Sequence, residues 1–225
     1  MSTYQLTHWL PTTKKEVELR GWDTLDVILF SADAYVDQPS FGAAVSGRTI
    51  EALGLKVAIV PQPDWHGDYR DFKKLGRPRL FFAVSPGAMD SMVNRYTANR
   101  RMRHDDAYTP DGRHGMRPDY PSIVYSKILK QLFPDVPVVL GGIEASLRRL
   151  THYDYWEDKL KKCILCESGA DIILYGMGEK NTLQLCWELE NGRSIKDVKD
   201  IPQTVYLAKK EDIPGGITDT DIVLH

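Results

Sequence analysis

At 225 residues, with Lys+Arg 29 against Asp+Glu 31, the chain can form one sizeable core and is too evenly charged to point to a polyanion or an anionic membrane as its main partner. No window approaches the ~20 apolar residues that span a bilayer, and Met1-Ser2-Thr3-Tyr4-Gln5 lacks the cationic start and apolar run of a secretion signal. Three cysteines, an odd number, argue against a disulfide framework and fit a reducing cytoplasm.

Residues 1–25 are mixed and polar, and Trp9-Leu10-Pro11 reads as an arm laid on the body, which is expected over residues 26–210. Asp26 to Phe30 is an apolar strand running into a loop, Ser31 to Ser40, that holds Asp33 and Asp37. A helix of small residues is predicted over Phe41 to Leu53, stopped by Gly54, and a second strand over Leu55 to Val60. Strand, helix and strand in succession make a βαβ unit, hence a parallel pair with a right-handed crossover. A third strand, Arg79 to Val84, ends in Ser85-Pro86-Gly87. Before it, Asp64-Trp65-His66-Gly67-Asp68 has a histidine between carboxylates. With no second His or Cys at ligand spacing it reads as a polar loop.

A long insertion follows at residues 85–122. Arg95, Arg100, Arg101, Arg103, His104, Arg113, His114 and Arg117 are interleaved with Tyr96, Tyr108 and Tyr120, and Asp105, Asp106, Asp111 and Asp119 offset part of the charge. Loops of this length in a compact domain are usually functional. A dock against another domain ranks first among its readings, and an RNA or phosphate surface ranks third, behind a solvated insertion.

An amphipathic helix over Ile123 to Phe133 delivers the chain to Val136-Pro137-Val138-Val139-Leu140-Gly141-Gly142. This apolar run reads as a central parallel strand buried on both faces. Its glycines turn the backbone at the strand's carboxyl end, where open α/β sheets bind ligands; a plain glycine turn before a solvated helix stays open as the alternative. Leu150 to Asp158 reads either as ligand-orienting aromatic and acidic groups or as a helix start packing its Tyr and Trp inward. A helix from about Glu157 would place Cys163 and Cys166 on one side as core residues, with thiol redox as the lesser reading. A further strand, Ala170 to Tyr175, ends in Gly176-Met177-Gly178-Glu179. In the helix Asn181 to Glu190, Leu183, Cys186 and Trp187 have the spacing of a buried face, and Glu179 suits the dipole at its start. Pro202 to Ala208 reads as an added strand and residues 211–225 as a boundary segment.

The expected fold is a doubly wound, mainly parallel α/β sheet of Rossmann-like type, with its strand tips converging on one crevice. Ligand-binding residues are expected at Ser31, Asp33, Asp37, Ser85, Gly141, Gly142, Glu144, Ser146, Arg148, Arg149, Gly176, Gly178 and Glu179. Arg148 and Arg149 would bind an anionic group bidentately, Glu144 and Asp33 would orient hydroxyl or amine donors, and the glycines would admit the ligand near the backbone.

The order of strand, small-residue helix, Val136 to Gly142 and Ala170 to Glu179 resembles the cobalamin-binding-type Rossmann domain that precedes the barrel in many radical SAM enzymes. More narrowly, Tyr96-Thr97-Ala98-Asn99-Arg100-Arg101, Tyr108-Thr109-Pro110, Arg117-Pro118-Asp119, Gly141 to Arg149 with His152-Tyr153-Asp154-Tyr155-Trp156, and Tyr175-Gly176-Met177-Gly178-Glu179 resemble the uncharacterised YgiQ-like radical SAM family over nearly the whole chain. The resemblance implies a bacterial protein whose barrel holds a [4Fe-4S] cluster in a Cys-x-x-x-Cys-x-x-Cys loop and cleaves S-adenosylmethionine reductively. No such loop occurs here, and a cluster with an open iron needs three positioned thiolates. The chain is therefore expected to be the amino-terminal portion of a longer enzyme, binding no cofactor alone. Its expected partners are that barrel and an unidentified small-molecule or macromolecular substrate, with no membrane. The Asp-x-His-x-x-Gly signature that supplies a histidine to cobalt is missing after the first strand, and Asp64-Trp65-His66 follows the second, so cobalamin is unsupported. The competing function is a stand-alone RNA- or phosphate-binding module built on the Arg/Tyr insertion.

Overall fold

Five strands read from apolar runs are buried almost throughout: β1 (Val27–Ser31), β2 (Val57–Pro61), β3 (Phe81–Ser85), β4 (Val138–Leu140) and β7 (Ile172–Leu174). Successive side chains leave a strand on opposite faces, so each strand feeds two cores. Ile28, Phe30, Phe82, Val84, Val138, Leu140 and Ile173 belong to one. Val27, Leu29, Phe81, Val139, Ile172 and Leu174 belong to the other. The first core is closed by α3 (Arg70–Lys73), α5 (Pro121–Leu132) and α7 (Ile164–Ser168), through Phe72, Tyr125, Leu129 and Leu165. The second is closed by α2 (Gly42–Glu51) and α8 (Glu179–Glu190), through Ala43, Ala44, Ile50, Leu185 and Cys186. Full burial of each such Val, Leu, Ile or Phe is worth roughly 1.5–3 kcal/mol.

The computed structural model describes residues 8–37, 41–209 and 211. Ser40 and residues 212–225 of the expected boundary segment lie outside them. The sheet order is β2-β1-β3-β4-β7-β8, parallel throughout except for β8 (Thr204–Tyr206), which runs against β7. This is the doubly wound, mainly parallel sheet predicted from the sequence. Ser31 lies opposite Ser85, Val84 opposite Leu140 and Leu140 opposite Ile173, so the carboxyl ends share one rim. The winding direction reverses between β1 and β3, where such sheets open a crevice.

The amino-terminal arm is tied in more deeply than a surface strap. Pro11 accepts from Ile59 N at 2.9 Å, Leu10 is buried, and a Cβ at Gly47 of α2 would collide with the Leu10 side chain. Beyond it lies α1 (Lys14–Leu19), started by a Thr13/Glu16 capping box. The insertion carries α4 (Ser91–Arg95) and a bridge between Tyr96 and Met102. The glycine pair opens α6 (Gly142–Leu147).

Two expectations are corrected. In place of a helix from Glu157 there is a hairpin of β5 (His152–Asp154) and β6 (Lys159–Lys161). Asp154 accepts from Trp156 N and Glu157 N at 3.0 and 2.8 Å, and Asp158 takes a left-handed φ of 52°, which no helix interior holds. With the helix starting only at Ile164, Leu165 turns inward and Cys166 is exposed, so Cys166 is not a core residue. In α8, Cys186 is buried as expected, whereas Trp187 is 61% exposed. The inward face of α8 is instead set by Leu185 and Cys186, which leaves Leu183 half-buried and turns Trp187 to the outside. Among the described residues no helix is long and apolar enough to cross a membrane.

Candidate functional site

A cavity of about 370 Å³ opens at the carboxyl rim between α2 and α8. Leu29, Phe81, Val139 and Leu174 from the sheet line it, with Gly42, Val45 and Ser46 of α2 on one side and Gly178, Glu179 and Thr182 on the other. Ser85, Gly87, Gly141, Gly142, Gly176 and Met177 bring the tips of β3, β4 and β7 to the same space. The residues before α2 and α8, Phe41 and Gly178, provide no side-chain cap. Glu179, in the first turn of α8, already sets a carboxylate beside that helix start at the cavity. Gly142 has φ +82°, and a Cβ there would lie 2.9 Å from Pro86 Cδ and 3.1 Å from Ser85 Oγ. Glycine is what allows the β3 and β4 tips to close against each other.

The charged residues near the tips form a different structure, on the insertion side. Arg117 donates to Asp33 at 2.6 Å through Nη1, and to Asp106 at 2.9 and 2.7 Å through Nε and Nη2. All three are buried. Asp33 also accepts from Ala88 N at 2.6 Å, and its carboxylate occupies the space that a Cβ on Gly87 would need. Burial pushes the Asp33 carboxyl above its ordinary value, against the pull of the Ala88 N–H and Arg117. Burial acts the same way on Asp106, but there the Arg117 and Tyr108 hydrogen bonds win and hold the group low.

A second buried set lies beneath the double glycine. Glu144 is wholly buried and accepts from the Ser91 hydroxyl and from Ser122 N at 3.0 Å. Burial raises its carboxyl, outweighing the Ser91 hydrogen bond and the nearby Arg148 charge. Arg148 forks onto Asp90, which caps α4 by accepting from Met92 N and Val93 N. Tyr120, 5.2 Å below the Arg148 guanidinium, donates to Asp154 at 2.7 Å.

Of the residues expected to bind ligand, Ser85, Gly141, Gly142, Gly176, Gly178 and Glu179 line the cavity and the others do not. Ser31 accepts from Asp33 N, and Asp37 pairs with Arg48. Asp33, Glu144 and Arg148 are occupied by the partners above. Arg149 donates to the Ser146 carbonyl and stacks 4.8 Å from the Tyr175 ring, while Ser146 Oγ donates to Gly142 O at 2.8 Å. The bidentate fork expected to grip an anion therefore grips Asp90. Sequence reasoning missed Gly42, Val45, Ser46, Met177 and Thr182. The one available signal was the run of small residues at the start of α2.

Within the insertion, Arg95 pairs with Asp119 and Arg113 with Asp111, while Arg100, Arg101, Arg103 and His104 stay exposed. Among the described residues no group of three or more His, Cys, Asp or Glu side chains is placed to hold a metal ion. Cys163 packs against one core and Cys186 sits in the other, where burial pushes its thiol up to about 12.

Comparison with known proteins agrees with this architecture. The family described as Radical SAM N-terminal matches residues 9–221. A UPF0313 protein of Bacteroides thetaiotaomicron is 63% identical over all of this chain and 38% of its own length. One from Porphyromonas gingivalis is 66% identical over 94% of this chain and 33% of its own. The UPF0313 protein YgiQ of Escherichia coli is 50% identical over 92% of this chain and 28% of its own. The chain thus spans well under half the length of these curated relatives. Among solved structures, the radical S-adenosylmethionine methyltransferase TsrM from Kitasatospora setae, with cobalamin and a [4Fe-4S] cluster bound, superposes with TM-score 0.52 at 17% identity, covering 81% of this chain and 27% of that one. That likeness is one of fold. Sequence identity and the family match together place this chain in the YgiQ-like radical SAM family, as its amino-terminal domain.

Proposed function

We propose that the chain is the ligand-holding amino-terminal domain of a radical SAM iron-sulfur enzyme, and that the cavity between α2 and α8 takes a flat apolar portion of a small molecule. The observation that carries this is the cavity itself. It has an apolar sheet floor, a glycine rim and a volume of about 370 Å³, within the roughly 300–1,000 Å³ of ligand sites.

The cluster and S-adenosylmethionine belong to another part of the full-length protein in this reading. Cys163 and Cys186 pack into opposite cores, so the described residues do not assemble the three thiolates that a cluster requires. The greater length of the relatives supports the same division. Cobalamin meets a mixed fit. The cavity suits a flat ring and the fold is shared with a cobalamin-holding enzyme, yet no histidine among the described residues lines it. This domain would hold a corrinoid by its ring-bearing tail and give the cobalt no imidazole. What the chain's own residues supply is shape, exclusion of water from the apolar floor, and N–H groups at the mouth.

The test uses full-length protein purified anaerobically, examined by native mass spectrometry for a retained small molecule and titrated with hydroxocobalamin by visible absorbance. Wild type should retain or bind one molecule per chain, and Ser46→Trp, which fills the cavity, should lose it while keeping the thermal midpoint of ligand-free wild type. Absence of any retained or bound molecule, or binding equal in both proteins, contradicts the reading.

A further inference from the structure

The β5–β6 hairpin has two unlike faces. Asp154 and Lys161 point inward: Asp154 is buried and accepts from Tyr120, and Lys161 lies 4.5 Å over the Tyr120 ring. The alternate positions, Tyr153 and Leu160, are cross-strand partners pointing outward, 56% and 74% exposed. An isolated hairpin is marginal in water. This one is held by its inner face and by Tyr155, whose hydroxyl donates to Ala98 O at 2.6 Å and whose ring lies 4.6 Å from the Arg100 guanidinium. That contact joins the hairpin to the insertion turn, which adds Met102, 52% exposed. Arg101 and Arg103 on the same turn have no ion-pair partner among the described residues.

We infer that this hairpin and turn form a docking surface for the carboxyl-terminal part of the same full-length protein, which meets it with apolar and acidic side chains. Tyr153 and Leu160 pair across the hairpin and Tyr155 ties it to the turn that carries Met102, and exposed apolar groups brought together and fringed by charge mark an interaction site. More than half of each close relative lies outside the region matched here, so a large covalently attached partner is at hand. The unpaired arginines set its sign. The inference rests on the reading of this chain as one domain of a longer enzyme, and concerns a surface separate from the cavity.

Hydroxyl-radical footprinting of full-length protein, treated with nuclease and shown monomeric by light scattering, tests it. Tyr153, Leu160 and Met102 should be modified at least fivefold more slowly than their exposure in this domain implies, while Trp187, 61% exposed on α8, reacts freely. In full-length Leu160→Asp, Tyr153 and Met102 should become reactive while Trp187 is unchanged. Free reaction of the three in wild type overturns the inference, as does protection that appears only in a dimer or only before nuclease treatment. Cluster absorbance and S-adenosylmethionine cleavage are recorded on the same sample. If both are present while the face is open, only the docking inference fails; if both are absent, the enzyme reading fails.

Discussion

The rim of the sheet is divided into two unlike halves. On the α2/α8 side, the tips of β3, β4 and β7 present glycines, serines and apolar groups around a cavity. On the insertion side, the loop after β1 carries Asp33 and the α6 segment after β4 carries Glu144 and Arg148, each buried and engaged with a partner from far along the chain. The difference teaches that chemistry-bearing side chains beside a ligand crevice need not face it. Here they pin a long insertion onto the strand ends, and backbone and small residues shape the opening.

The sharpest way to break this contrast is Arg117→Ala. It strands two buried carboxylates, Asp33 and Asp106, and should destabilise the protein by about 3–5 kcal/mol, read by urea denaturation. A loss under 1 kcal/mol would mean the insertion is not braced there.

Glu144 sharpens the contrast through pH. Its carboxyl is raised above the ordinary 4.5, so the native state holds the proton more tightly than the unfolded chain. Stability from this group is greatest below 4.5 and falls as pH rises through the raised folded value. Asp106, held low, acts in the opposite sense and loses its contribution as pH falls below its ordinary range. The contribution of Asp33, also raised, declines in the same sense as that of Glu144, so Glu144→Gln should lessen the decline on the alkaline side without abolishing it and leave the acid limb intact, measured as thermal midpoint from pH 4 to 8. Identical profiles for the two proteins would contradict the burial assignment. Arg149→Ala should have the smallest effect, about 1 kcal/mol or less, since a half-exposed guanidinium over Tyr175 is worth roughly 0.5–1 kcal/mol. A larger loss in calorimetry would promote Arg149 to the bracing set.

What could be read from the sequence follows the same division. The continuous run Val138-Val139-Leu140 announces a doubly covered strand because burial on both faces leaves no polar alternation. The double glycine marks the turn because Gly142 requires a positive φ and close contact with Pro86. The roles of Asp33 and Glu144 were not legible, because their partners lie 84, 53 and 22 positions away, and local pattern carries no information about such pairings. The β5–β6 hairpin was hidden for a local reason: its turn uses Asp158 rather than glycine in the left-handed region.

Thermal unfolding of Arg148→Ala beside Ser46→Trp tests the central claim most directly, because it needs no knowledge of the ligand. Arg148→Ala leaves Asp90 buried without its fork and should lose about 3 kcal/mol, whereas Ser46→Trp, placing an indole in open cavity, should unfold within about 0.5 kcal/mol of wild type. An Arg148→Ala protein as stable as wild type, together with a Ser46→Trp protein that fails to fold, would reverse the assignment of brace and crevice.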